Sequence, residues 1–232
     1  MKIPLMMLVP ARGGSKRLPN KNIKNLGGRT LIKRVADVVR LSKINGPLIL
    51  STDSKLIADE GLKEGMQVPF MRPDNISTDK SPTIDAVIHA LDWFKNKNGT
   101  DPDMVMILQP TSPFRNEKML TEALECLQSR KNIDSVISMS PLKLSTNHIY
   151  NINTESYAEP ISLEDINKVY FPNGAVYLTR TKALRRDHSL FAGKIYPLIT
   201  DLLRSIDVDN AYDWMVAESL LKTLEKNLPS PR

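Results

Sequence analysis

The stretch Val9-Pro10-Ala11-Arg12-Gly13-Gly14-Ser15-Lys16-Arg17-Leu18-Pro19-Asn20-Lys21-Asn22 decides the architecture. It leaves an apolar run, residues 3–10, that reads as a first buried strand. That run begins with a charge, as a signal peptide does, but it is too short and Pro4 interrupts it. Open α/β sheets bind their ligands where such a strand ends. Two glycines let backbone amides approach a phosphate closely, and Arg12, Lys16, Arg17 and Lys21 supply positive charge. The spacing matches neither a Walker loop nor the Gly-x-Gly-x-x-Gly dinucleotide fingerprint. An ordinary basic loop is the competing reading.

Working outward, β-rich apolar runs alternate with amphipathic segments, which predicts an α/β fold with a doubly wound, mostly parallel sheet. Leu31, Ile32, Val35, Val38 and Val39 repeat at helical spacing; residues 47–52 form a second strand ending at Asp53. A helix over 55–65 stops at Gly65, and Ile84, Val87, Ile88, Leu91 and Phe94 mark another. Residues 103–108 give a central strand, Met119 to Leu127 a helix, and 134–139 a further strand. Residues 141–172 break this rhythm, with extended pieces at 148–152 and 169–171, and read as an insertion within a single domain: a lid, a dimerisation arm, or both. Strands at 174–179 and 205–208 follow, then a helix at 211–225 with Trp214, Ala217, Leu221 and Leu224 on one face.

The net charge of +6 suits an anionic partner. No long basic run or aromatic-laced basic stripe accompanies it, so a polyphosphate fits better than nucleic acid. No run approaches membrane-spanning length, and the single cysteine, Cys126, excludes an internal disulfide and a Cys-rich zinc site. The expectation is a cytoplasmic protein. Cys126 lies beside an apolar stripe, which favours packing over nucleophilic chemistry. His89, His148 and His188 have no partners at metal-ligand spacing, and neither a Ser-His-Asp order nor a Gly-x-Ser-x-Gly elbow is present. Asp207 and Asp209 form an Asp-x-Asp pair that a strand would aim at one cation, although Asp209 can equally cap the last helix.

Residues 10–22 resemble the nucleotide-binding signature of the cytidylyltransferases that activate sialic acid and related nonulosonic acids. Further signatures follow in order: Ser51-Thr52-Asp53, Val68 to Pro73, Asp79-Lys80-Ser81, Leu108-Gln109-Pro110-Thr111-Ser112-Pro113-Phe114-Arg115, Pro172 to Tyr177, and Ser205 to Asp209. The resemblance spans nearly the whole chain. It implies transfer of CMP from CTP to the anomeric hydroxyl of an acidic nine-carbon 2-keto sugar, with pyrophosphate released, by a magnesium-dependent homodimer.

The same resemblance distributes the roles. Arg12, Lys16 and Lys21 become the catalytic cations. Ala11, Arg12, Gly13, Ser15, Asn22, Arg72 and Ser81 become nucleotide ligands, with Arg72 donating to both acceptors of cytosine. Gln109, Lys168 and Asn173 face the sugar, while Asp207 and Asp209 hold magnesium. The sequence departs from the pattern ahead of Asn173, where Phe171 stands in a place that commonly carries arginine and Lys168 is the nearest cation. The sugar carboxylate then falls to Lys168, to Lys143 or to a partner subunit, or the acceptor differs from sialic acid. A Kdo-type enzyme is the nearest competing assignment, disfavoured because Gln109 begins the stretch that carries a magnesium-binding aspartate there. A nucleotide-sugar-binding glycosyltransferase also joins an α/β fold to an Asp-x-Asp pair, but the basic loop suits a triphosphate better. A CTP-binding protein without turnover would equally account for the missing arginine.

Overall fold

The computed structural model describes residues 4–142, 150–152, 154, 156–160 and 169–227. Its centre is a six-stranded sheet. The strands are β1 (Leu5–Pro10), β4 (Leu48–Ser51), β5 (Met104–Ile107), β6 (Ser135–Pro141), β9 (Tyr170–Arg180) and β10 (Ile195–Ile199), in the order β10-β6-β9-β5-β1-β4. β1 pairs in parallel with β4 and β5, and β10 with β6, while β9 runs antiparallel to both its neighbours. Two small antiparallel pairs stand apart: β2 (Asn25–Leu26) with β3 (Arg29–Thr30), and β7 (Tyr150–Ile152) with β8 (Ala158–Pro160).

Alternation along the central strands explains why both faces of the sheet are covered. Leu5, Met7 and Val9 of β1, with Met104 and Met106 of β5, point to one side. There they meet α1 (Leu31–Ser42), α2 (Lys55–Lys63) and α4 (Glu117–Ser129). Met6, Leu8, Val105 and Ile107 point to the other, against α3 (Thr83–Asn98) and Leu184 of α5 (Thr181–Asp187). Strands apolar on both faces are what a sheet buried between helices requires. Caps set the helix starts: Thr30 Oγ1 accepts from the Lys33 amide at 3.0 Å, and Asn116 Oδ1 from the Met119 amide at 3.1 Å. Each is worth about 1 kcal/mol. A third cluster packs Leu18, Leu26 and Val208 against Trp214 and Ala217 of α6 (Ala211–Asn227), bringing the last helix beside the loop after β1.

The expected strand at 205–208 is not one. Leu203–Ser205 is a single 3-10 turn and the residues after it join no sheet. Val208 instead donates its amide to the Thr111 carbonyl at 2.8 Å and buries its side chain under α6. The strand on that side of the sheet is β10, whose Pro197 and exposed Tyr196 and Ile199 hide the period-two pattern. Proline is tolerated there because β10 is an edge strand. β9 is the reversed strand of the sheet, and an antiparallel neighbour needs no helical crossover.

Candidate active site

The C-terminal ends of β1, β4 and β5 open into a cavity of about 310 Å³. Arg12, Ser15, Lys16, Lys21, Asn22, Arg72, Ser81, Gln109, Asp207 and Asp209 all line it, although they come from segments spread along most of the chain. Arg17, one of the loop's expected phosphate-seeking charges, joins them, as do Thr78, Thr83 and Thr111, to which the sequence assigned no role. Thr78 and Thr83 flank the Asp79-Lys80-Ser81 signature, which was the available signal for them.

The loop after β1 is held by its own donors. Ala11 is buried behind the cavity with its amide on the Ser51 carbonyl at 3.0 Å. The Gly13 amide donates to Asp53 Oδ1 at 2.7 Å, so in this state that donor faces a carboxylate of the turn after β4. A Cβ at Gly13 would stand 2.8 Å from Ser54 Cβ, and the missing side chain is what lets the loop pack on that turn. Asn22, almost fully buried, reaches back with Nδ2 to the Arg12 carbonyl at 3.1 Å.

Four cations of this loop are shared between two carboxylates. Arg12 and Lys16 meet Asp79 at 2.5 and 2.6 Å, while Arg17 and Lys21 meet Asp209 at 2.7 and 2.9 Å. Each cluster keeps an excess positive charge, which suits a polyanion in the cavity between them. Burial raises the Asp209 pKa, but the Lys21 hydrogen bond and charge, with Arg17, bring it below the ordinary carboxylate range. Asp207 behaves oppositely: burial pushes it up, the Thr111 hydroxyl opposes this, and the neighbouring Asp209 charge adds to it. Two carboxylates on one wall, beside cations that recruit phosphate, form a donor set that fits a hard divalent ion completed by phosphate oxygens and water. Among the described residues no group of three or more His, Cys, Asp or Glu side chains gathers to hold a metal without such help.

On the opposite wall, Arg72 is buried and donates Nε to Ser51 Oγ at 3.1 Å and Nη2 to the Ser51 carbonyl. Burial brings its pKa down to about 10, with Asp53 opposing, so it is charged at neutral pH. Nη1 is the nitrogen not held by Ser51, which narrows the fork expected from the sequence. Ser81 Oγ donates to the Asn75 carbonyl at 3.3 Å and pairs with Thr78 Oγ1 at 2.8 Å.

The floor is built by β5 and β9. Arg115, fully buried, donates Nη2 to the Gln109 carbonyl at 2.6 Å and Nε to the Ala175 carbonyl. It thereby ties the loop that carries Gln109 to β9. Asn173 lies behind this floor with both amide atoms engaged: Oδ1 accepts from Ser138 at 2.6 Å, and Nδ2 donates to Ser140 and Thr200 at 2.9 and 2.6 Å. It does not line the cavity. Lys168 and Lys143 lie outside the described residues.

The cytidylyltransferase family profile matches residues 6–222. The chain belongs to the cytidylyltransferase family. A CMP-N,N'-diacetyllegionaminic acid synthase of Legionella pneumophila is 32% identical, over 97% of this chain and 99% of that protein. A pseudaminic acid cytidylyltransferase of Campylobacter jejuni is 30% identical, over 94% of this chain and 96% of that protein. A solved CMP:2-keto-3-deoxy-manno-octonic acid synthetase, complexed with CTP, superposes with a TM-score of 0.71 at 15% identity, covering 95% of this chain and 99% of the other, and shares the fold. A cytidylyltransferase is a nucleotidyl-transferring enzyme, and the mixed, mostly parallel sheet is the scaffold this chain shares with that structure. Among its described residues no helix is long and apolar enough to cross a membrane.

Proposed function

We propose that this cytidylyltransferase joins CMP from CTP to the anomeric hydroxyl of an acidic nine-carbon 2-keto sugar and releases pyrophosphate. The carrying observation is that the cationic loop, the Asp207–Asp209 pair, Arg72 and Gln109 line one cavity. The whole-length relatives named for legionaminic and pseudaminic acids support a nonulosonic acceptor.

In this reading the sugar hydroxyl attacks the α-phosphorus and the bond to the bridging oxygen of pyrophosphate breaks. Arg12, Lys16 and Lys21 neutralise the charge that grows on the phosphates, a contribution that is largest where donors are already in place. Arg72 reads the cytosine edge with the nitrogen that Ser51 leaves open, beside Ser81. Gln109 faces the sugar hydroxyls. Asp207 and Asp209 would hold magnesium, which supplies Lewis-acid polarisation of phosphate oxygens when bound. Asp209, paired with Lys21 and Arg17 in the free protein, would be available as a ligand where phosphate draws those cations to itself. We place the enzyme in the cytoplasm as a homodimer, with the segment expected at 141–172 as the dimerisation arm; its ends, Pro141 and residues 170–172, belong to β6 and β9 of the central sheet, while β7 and β8 pair with each other.

The experiment is pyrophosphate release with magnesium and each of the four nucleoside triphosphates, against sialic, legionaminic, pseudaminic and Kdo acids. Release with CTP and one nonulosonic acid alone is expected. CTP binding without release for any acceptor would overturn the reading.

A further inference from the structure

Asp79 carries the strongest unassigned feature of the site. Its two carboxylate oxygens each hold a different cation of the loop, Oδ1 the Arg12 guanidinium and Oδ2 the Lys16 ammonium. Both bonds draw the Asp79 pKa below the ordinary carboxylate range, the Lys16 bond most. The residue sits between the 3-10 turn Asp74–Ile76 and α3, in a segment braced on itself by the Thr78 amide donating to Ser81 Oγ at 3.1 Å. A carboxylate on two phosphate-seeking cations occupies the place of an anion.

Each cluster joins one sheltered cation to one exposed one: Arg12 at 34% with Lys16 at 83% on Asp79, and Lys21 at 15% with Arg17 at 69% on Asp209. Both clusters line one cavity, so a nucleoside triphosphate with its α-phosphate near Asp207 and Asp209 would bring its outer phosphates to the cations that Asp79 holds, Arg12 and Lys16. Those outer phosphates are the pyrophosphate that leaves.

We propose that Asp79 is a positioning residue for the leaving group, which aligns Arg12 and Lys16 in the free enzyme and competes with pyrophosphate for them. The inference rests on the reading of the cavity as a CTP site. Exposed ion pairs contribute little, and a released carboxylate regains its hydration, so a phosphate of higher charge displaces Asp79 readily. Holding the two long side chains beforehand lowers the ordering cost of that exchange. When the bond to the α-phosphate breaks, the same carboxylate recaptures the cations and pyrophosphate departs faster. CMP has no outer phosphates and leaves the Asp79 contacts undisturbed.

The test is calorimetric titration of inorganic pyrophosphate and of CMP into wild type, Asp79→Asn and Asp79→Glu. Asp79→Asn is expected to tighten pyrophosphate about three- to tenfold while leaving CMP within about twofold. In steady state the pyrophosphate inhibition constant and the KM for CTP fall together, and kcat falls as product lingers. Asp79→Glu, which keeps the charge, restores wild-type pyrophosphate affinity. Unchanged or weaker pyrophosphate binding by Asp79→Asn, or equal tightening of CMP, overturns the proposal, as does absence of pyrophosphate binding to both proteins. The pyrophosphate titration involves neither base nor sugar, so failure of the CTP reading shows separately, as equal binding of CTP and UTP.

Discussion

Lys21 Nζ and Asp209 Oδ1, 188 positions apart in the chain, lie 2.9 Å from each other at the edge of the cavity. The contact joins the loop after the first strand to the approach to the last helix. Lys21 also donates to the Val208 carbonyl at 3.3 Å, so the ammonium is anchored on the segment that carries both acidic residues.

Removing either partner should therefore disable chemistry while sparing the fold. Asp209→Asn and Lys21→Met are each expected to lower kcat about 10²–10³-fold, the scale of losing one pre-aligned charge from a transition state. Circular dichroism and thermal melting would be close to wild type, because the apolar cluster under α6 is untouched. Rates within about tenfold of wild type in both variants would remove these residues from the mechanism.

Gly174→Ala should damage both stability and acceptor binding. Gly174 has φ +76°, and a Cβ there would stand 2.5 Å from Gln109 Oε1 and 3.0 Å from Ser112 Oγ. The left-handed backbone and the clash together should cost about 1–3 kcal/mol by denaturant titration. Displacement of the Gln109 side chain should raise KM for the sugar more than KM for CTP.

Asn173→Ala should act through stability alone. It would leave Ser138, Ser140 and Thr200 without the amide that links β6, β9 and the end of β10. Three buried hydrogen bonds disappear while Ser138 keeps Val176 and Ser140 and Thr200 keep each other, so a loss of about 1–3 kcal/mol is the expected result of chemical denaturation. A fully stable Asn173→Ala with selectively raised KM for the sugar would show that its amide turns toward the substrate.

The pH dependence of stability should carry a contribution from His89. Its Nδ1 is buried without a hydrogen-bond partner among the described residues, and its ring stands edge-on to Phe70 at 4.6 Å between centroids. Burial first, then the Arg72 charge, lower its pKa below the ordinary 6.5, with Asp92 opposing. The unfolded chain then binds its proton at higher pH than the native protein does. The contribution is thus fully present above about pH 6.5 and is lost as pH falls toward the lowered value. Thermal melts from about pH 7.5 down to about pH 5 should show this slope in wild type and a flatter one in His89→Gln.

Much of the fold was legible in the chain because burial on two faces leaves a local trace. The apolar runs at β1, β4 and β5 and the helical spacing in α1, α3 and α4 appear where periodicity predicts them. α2 ends at Lys63, two residues short of the expected stop at Gly65. The strand expected at 205–208 failed because its apolar residues, Ile206 and Val208, pack under α6 rather than in the sheet. β10 was missed because an edge strand needs neither continuous hydrophobicity nor freedom from proline.

The sequence by itself determined the α/β class, the family resemblance and the residue types of the site, since strand runs, amphipathic helices and ordered motifs are written locally. Only the tertiary structure decided which charges face one another. Asp79 on Arg12 and Lys16, Asp209 on Arg17 and Lys21, Asp53 on the Gly13 amide and Asn173 behind the floor are all contacts between distant segments. A charged side chain's partner is set by the packing of the strands and helices that carry it, and no local pattern encodes that distance.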